Sequence, residues 1–592
     1  MHVVATAGHV DHGKSTLLRA LTGMEPDRWA EERRREMTID LGFAWTTLES
    51  GHIVAFVDVP GHERFVGNML AGIGPAPAVM FVVAADEGWM PQSAEHLAAL
   101  DALGVSHGVL VISRCDLAEP APALAAARQE LAKTSLSGIE SSCVSATTGA
   151  GMDDLRAALS RLAAALPPPE LEHPVRLWVD RAFTIRGAGT VVTGTLTAGT
   201  ISTGDSLAIA PGEHLVRVRG VESLKAHVSS AGAVARVAVN LRHVPVGQIR
   251  RGSALLAPEA WHTTSLVDVR ARAELPPQVL VHVGSAAVPA RVRPFGAELA
   301  RLALASPLPL HIGDRLLLRD PGSRRIVGAT ALDVRPPELD RRGASALRRA
   351  ELAAMTGEPD PVSELRRRRV ITVADLRRMG CPAPSDIIPI AGDWLLDPEY
   401  RETLLAGLTA EVDSYAATHP LEPGLPIDAA RRRLGLPDRR LVENLVTPPL
   451  VADRGRVLRA AKRDILPPEV ASAVDAIRAD LATTPFAAPD AERIAALGLT
   501  PAKLAAAVRT GSLLQVGDGL YLAPDARELA VRRLAELPQP FTVSDARRAL
   551  DTSRRVAVPL LQLLDRAHLT RRVDDVHRRV VGQASSRDDG PT

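Results

Sequence analysis

Near the front of the chain, Gly8-His9-Val10-Asp11-His12-Gly13-Lys14-Ser15 sets two glycines, a lysine and a hydroxyl at the spacing G-x-x-x-x-G-K-[ST], with Thr16 directly after. That spacing suits a phosphate chain. The glycines let backbone N–H groups curl around oxygens, Lys14 reaches the outer phosphates, and Ser15 offers a hydroxyl to Mg²⁺. Further candidates follow in order. Asp58, in "VAFVDVPGHERF", is placed to hold Mg²⁺ through water. Gly61 can present its amide to a γ-phosphate, and His62 comes next. Asp116, closing "GVLVISRCDL" behind Ser113 and Arg114, can accept from two guanine N–H donors, which adenine does not supply. Ser145 and Ala146, in "CVSATTG", can touch the base carbonyl.

These groups work together only if one scaffold presents them along one edge. "HVVATA", "VAFVDV", "GVLVIS" and "CVSA" read as strands, each ending in a loop that carries candidates, and "AVMFVVAA" is a further apolar run of strand length. The pattern predicts an α/β P-loop GTPase domain over residues 1–173, its sites at the carboxyl ends of parallel strands. "LPPPELEHP" (166–174) reads as a linker. From Val175 to about Pro337, short alternating strands carry glycines at turn spacing, which predicts two β-barrel domains, 174–258 and 259–340. Beyond Pro337 helical periodicity takes over. Stretches 425–460, 485–523 and 540–581 share one plan of helix, turn, helix and two strands, with 370–380 and 393–400 as a divergent copy. This predicts tandem winged-helix domains over 341–592, about four of them, the last near 534–582.

A chain of 592 residues is too long for one core, in keeping with several domains. A formal net charge of +1 excludes a globally basic nucleic-acid binder but allows a local patch. The last tail copy holds one: Arg547, Arg548, Arg554, Arg555, Arg571, Arg572, Arg578 and Arg579, in pairs near helix starts and on both wing strands. Such pairing favours phosphate contact. With aromatics at only 3%, base-stacking platforms are disfavoured, and a structured RNA read by shape and backbone fits better. Three scattered cysteines, no long apolar run and no signal-peptide pattern predict a cytoplasmic protein without a membrane partner.

"GHVDHGKST", "MTIDLGF" and "DVPGHERF" resemble the translational GTPases. The resemblance implies that GTP and GDP are the nucleotides, that Thr38 closes over Mg²⁺ in the triphosphate state, and that His62 orients the attacking water on the ribosome. The base motif departs from the family's Asn-Lys-x-Asp, being Ser113-Arg114-Cys115-Asp116, and Glu36 stands where the family has glycine. "VDRAFTIRGAGTVVTGTL" is similar, more narrowly, to the selenocysteine-specific elongation factor (SelB) family. That likeness implies an aminoacyl pocket at Asp180, Arg181 and Arg236, whose cations favour a selenolate over a seryl hydroxyl. It also implies selenocysteyl-tRNA, a messenger hairpin marking a UGA codon and the ribosome as partners, with the chain acting as a monomer. Two other readings are a general aminoacyl- or initiator-tRNA carrier and a metabolic GTPase with a protein-docking tail. The long helical tail disfavours the first, and the basic last repeat with Arg181 and Arg236 disfavours the second.

Overall fold

A computed structural model describes residues 1–26, 40–62, 66–187, 189–212, 214–460 and 466–581. Glu36 and Thr38 lie outside them. The chain divides into two compact units, residues 1–388 and 389–592.

The first unit opens with six strands: β1 (His2–Ala7), β2 (Gly42–Thr47), β3 (Ile53–Asp58), β4 (Ala78–Ala84), β5 (Gly108–Ser113) and β6 (Glu140–Cys143). They form one sheet in the order β2-β3-β1-β4-β5-β6, in which only the β2–β3 pair is antiparallel. All seven residues of β4 are buried, as a central parallel strand with both faces covered requires. Alternate residues feed two cores. Val3, Ala5, Phe81 and Val83 pack on one face; Val4, Phe56, Met80 and Val82 pack on the other. The parallel pairing brings the loops after Ala7, Asp58, Ala84, Ser113 and Cys143 to one edge of the sheet.

Next comes a ring of six strands, 176–185, 189–196, 206–210, 214–223, 235–241 and 254–256, in which 206–210 pairs with 214–223 to join the two ends. Strands 262–271, 278–283, 286–294, 299–310, 315–319 and 326–333 form a closed barrel. The barrels meet at Arg176, whose guanidinium grips Asp314 at 2.6 and 2.8 Å and lies 4.3 Å over the Trp261 ring. The closed barrel is tied in turn to helices Ala344–Ala354 and Pro361–Arg368 by buried charges. Asp333, fully buried, accepts from Arg348, Arg367 and Arg368 at 2.6–2.7 Å. Burial pushes its carboxyl up, but the three arginines outweigh this and hold it down at about 2. A buried carboxylate survives because it is multiply paired.

In the second unit, helix pairs and wings recur. Helices 398–418, 427–433 and 439–445 precede hairpin 450–459; helices 468–483, 491–496 and 501–509 precede hairpin 514–522; helices 526–535, 543–549 and 554–566 precede hairpin 570–580. Each copy therefore begins one helix earlier than the repeat visible in the sequence, because the opening helices differ in length and pattern. The stretch read as a divergent copy straddles the division between the units. The last two copies share one core, which runs from Val470 to Leu564. Thr552 donates to the Phe486 carbonyl at 2.6 Å, locking one copy to the next.

Candidate functional site

The loop between β1 and helix Lys14–Thr22 is built on glycine at its two bends. Gly8 has φ +129°, and a Cβ there would stand 2.1 Å from the Val82 carbonyl oxygen. Gly13, at φ +78°, starts the helix from the left-handed region. Lys14 is buried and donates to the carbonyls of Gly8 and His9 at 3.1 and 2.5 Å. Burial holds its ammonium down at about 8, against the pull of Asp58 and Asp11. Gly61 passes so close that an added Cβ would meet Val10 N at 2.6 Å and Lys14 Nζ at 2.8 Å. The expected phosphate-binding residues thus converge, and His62 follows at their rim, half-buried.

Asp58 sits at the end of β3. It accepts from Thr6 Oγ1 at 2.7 Å and from Ser15 Oγ at 2.6 Å. No group of three or more His, Cys, Asp or Glu suited to a metal occurs among the described residues. One carboxylate beside a hydroxyl fits Mg²⁺, which commonly takes its other oxygens from phosphates and water.

Two loop amides have partners that the sequence reading missed. Gly8 N donates to His96 Nδ1 and Val10 N to Gln92 Oε1, each at 3.1 Å, both from helix Pro91–Leu103. Accepting through Nδ1 requires a neutral imidazole, and burial holds His96 down at about 3. The run "PQSAEH" puts both side chains one turn apart on that helix, which was the available signal.

At the base end, Ser113 donates to the His12 carbonyl at 2.7 Å, so the serine ties β5 to the phosphate loop. Arg114 adopts φ +55° and directs its guanidinium to Glu87 at 2.8 Å, Asp86 at 3.1 Å and the Asp11 carbonyl. Asp116 is exposed beyond it. Cys115 N donates to the Val144 carbonyl at 3.1 Å, which sets the Asp116 loop beside the one carrying buried Ser145 and half-buried Ala146. Thr16 and Asp11 are exposed at the loop's outer side, whereas His12 is fully buried.

The three residues expected to form an aminoacyl pocket do come together on the first barrel. Arg236 grips Asp180 with both terminal nitrogens, and Thr193 donates to the same carboxylate at 2.7 Å. Arg181 pairs through Nε with Asp40 at 3.1 Å and donates to the Leu41 carbonyl. Arg236 lies 3.8 Å over the Phe43 ring. A third arginine, absent from the sequence reading, completes the group. Arg251 donates to the Asp180 carbonyl at 2.9 Å, to Asp40 at 2.6 Å and to Asn68. Burial raises the Asp40 carboxyl, but Arg181 and Arg251 outweigh it and leave it below the usual range.

In the last winged helix, Arg547, Arg548, Arg554, Arg555, Arg571, Arg572 and Arg579 are exposed. Arg578 is not: it is buried, and its Nε donates to Asp565 at 3.0 Å. Strand alternation separates the pair, turning Arg579 out and Arg578 in. Arg578 therefore braces the wing rather than facing a phosphate. Arg554 and Arg555 open a helix, where the dipole disfavours cations. A cleft of about 860 Å³ beside the wing is lined by Arg566, His568, Arg571, Arg572 and Arg579.

Three parts of the chain match known family models. Residues 1–165 match the elongation factor Tu GTP-binding domain, residues 264–338 the β-barrel domain of the selenocysteine-specific elongation factor, and residues 532–579 the winged helix of elongation factor SelB. A selenocysteine-specific elongation factor from Escherichia coli K12 is 36% identical over 468 residues, 75% of either chain. Its counterpart from Desulfomicrobium baculatum is 31% identical over 628 residues, 97% of this chain and 98% of its own. The crystal structure of a bacterial selenocysteine-specific elongation factor, EF-Sec, superposes with a TM-score of 0.78 at 26% identity, covering 98% of this chain and all of that one.

Proposed function

We propose, from the premise that this chain belongs to the selenocysteine-specific elongation factor family, that it carries selenocysteyl-tRNA in complex with GTP to ribosomes at UGA codons marked by a messenger hairpin. The chain is a translational GTPase. Lys14 and the loop amides would hold the outer phosphates, and Asp116 would select guanine through its two N–H donors. Ser15, Thr38 and, through water, Asp58 would hold Mg²⁺, which would supply positive charge to offset the negative charge of the phosphates. His62, next to the amide of Gly61, would orient the water that attacks the γ-phosphate.

One observation carries the delivery reading: Arg181, Arg236 and Arg251 converge on the first barrel beside the strand that leaves the nucleotide domain's Asp40. Among the described residues three guanidiniums meet two carboxylates there, and an anionic selenolate would draw on these cations as a seryl hydroxyl would not. The exposed arginines of the last wing support a hairpin tether, since they concentrate cationic donors on one small module. Filter binding to seryl- and selenocysteyl-charged forms of one tRNA tests the carrier. The selenocysteyl form should bind far more tightly in the presence of GTP, and Arg181→Ala or Arg236→Ala should erase most of that difference. Equal affinity for both forms in the intact protein would defeat the proposal.

A further inference from the structure

We propose that Cys115 and Cys143 form a redox-modification site: a peroxide joins them as a disulfide across the two guanine-base loops, and nucleotide affinity falls until the bond is reduced. This site belongs to the nucleotide reading above, since it acts on Asp116, the residue proposed there to select guanine.

Cys115 follows β5 and Cys143 ends β6, and the sheet sets them side by side. The two strands run parallel, with Ile112 beside Cys143. The Ile112 carbonyl accepts from Val144 N at 2.8 Å and from the Cys115 thiol at 3.1 Å. In return, Cys115 N donates to the Val144 carbonyl at 3.1 Å. Two main-chain bonds thus seat one loop against the other, and the two thiols lie within hydrogen-bond reach of each other. Their surroundings differ. Cys143 is exposed near the Arg128 guanidinium, whereas Cys115 is half-buried. Burial holds both thiols above the ordinary range, Cys115 at about 11, so neither is a standing thiolate at neutral pH. The pair is therefore a slow responder that stays reduced until peroxide persists.

In the reaction, the Cys143 thiolate attacks one peroxide oxygen. An S–O bond forms, the O–O bond breaks, and the departing hydroxide takes up a proton to become water. The Cys115 sulfur gives up its proton and attacks the Cys143 sulfur, so that S–S forms, S–O breaks and the second oxygen leaves as water. Two thiols lose two electrons and two protons while one peroxide becomes two waters. A disulfide holds its sulfurs about 2.0 Å apart, closer than any hydrogen-bond contact. Closing that gap draws the Cys115 sulfur off the Ile112 carbonyl. Cys115 N is already fixed, so the adjustment passes to the turn that follows, where Leu117 N donates to the Arg114 carbonyl at 3.0 Å. Asp116 lies inside that turn, directly after Cys115, and Ser145 stands two residues beyond Cys143. Guanine is common to GDP and GTP, so the loss falls equally on both.

The test uses the full-length protein. Wild type, Cys143→Ser and Cys115→Ser are treated with hydrogen peroxide, and the excess is removed. Mass spectrometry of the intact chain and its tryptic peptides then accompanies titration with fluorescent GDP and a fluorescent GTP analogue. Wild type should lose two hydrogens, and its Cys115 and Cys143 peptides should be linked. Both nucleotides should bind about tenfold more weakly, the effect of one lost hydrogen bond to a carboxylate. Dithiothreitol should restore both readings. Cys143→Ser should bind nucleotide normally and show neither change, and Cys115→Ser should form no cross-link. Cys381, buried with its thiol pushed up to about 12, should stay unmodified throughout. Oxygen adducts without a cross-link, a bridge without loss of affinity, or an equal loss in Cys143→Ser would each overturn the site. A loss that follows the bridge while Asp116→Asn still discriminates guanine from xanthine would keep the switch and remove Asp116 as the base reader.

Discussion

Asp116 and His96 show how single residues divide the nucleotide site between recognition and support. Asp116 stays exposed at the end of β5, while Ser113 behind it spends its hydroxyl on the His12 carbonyl. Base choice should therefore rest on the aspartate. Asp116→Asn replaces two acceptor contacts with an amide that suits xanthine, and competition binding should show preference moving from GTP toward xanthosine triphosphate. A variant that still discriminates normally would place base reading elsewhere. His96 works in the opposite way, by staying neutral. Its folded value of about 3 lies below the ordinary 6.5, so between these values the unfolded chain binds the extra proton. Stability contributed there is present above pH 6.5 and is lost as pH falls toward 3. At pH 5 the loss amounts to about 2 kcal/mol from this residue. Chemical denaturation at pH 7 and pH 5 should therefore show a steeper fall for wild type than for His96→Gln, which keeps an acceptor for the Gly8 amide and does not titrate.

Among the elements, the last wing is the most instructive. Strand His577–Val580 pairs with Thr570–Arg572, and its alternation gives neighbouring arginines opposite duties. Arg578 points inward to Asp565, which also accepts from Thr570 at 2.6 Å. Arg578→Met should cost roughly 3 kcal/mol in urea unfolding of this unit, because a buried pair loses one partner. Arg579→Ala should leave stability within about 0.5 kcal/mol. The same Arg579 variant should reduce the salt slope of hairpin binding by about one, the counter-ion yield of one phosphate contact. Opposite behaviour of the two variants would reverse the assignment of inside and outside.

On the scale of the molecule, the tail does not divide into independent copies. Leu481, Phe486, Leu513 and Leu522 of one copy share a core with Phe541, Leu560, Leu561 and Leu564 of the next. Gly517 lies so close to Pro559 that an added Cβ would come within 3.1 Å of its ring. A fragment starting near residue 534 would expose that seam. A fragment spanning 466–581 should unfold in one calorimetric transition, whereas 534–581 should melt at least 10 °C lower and bind a hydrophobic dye, since burying less apolar surface lowers stability. Matching melting points for the two would show that the seam contributes little.

The sequence alone determined which elements form and which chemistry each can carry, because those signals are local. The phosphate loop is a spacing, β4 is an uninterrupted apolar run, and each wing is a pair of short strands around a turn. The convergence of Asp180, Arg181 and Arg236 was also reachable through likeness to a family, but not their partners. Arg251 meets Asp40 and Asn68 across 211 and 183 residues, and His96 reaches Gly8 across 88. An arginine at a strand end reads the same in sequence whether it faces water, a carboxylate or a phosphate. Arg578 and Arg579 are adjacent and chemically identical, yet one is buried and the other exposed. Only tertiary structure decided these matters, because the energy of a charged side chain depends on what docking places around it, and periodicity along the chain records only which way an element can face.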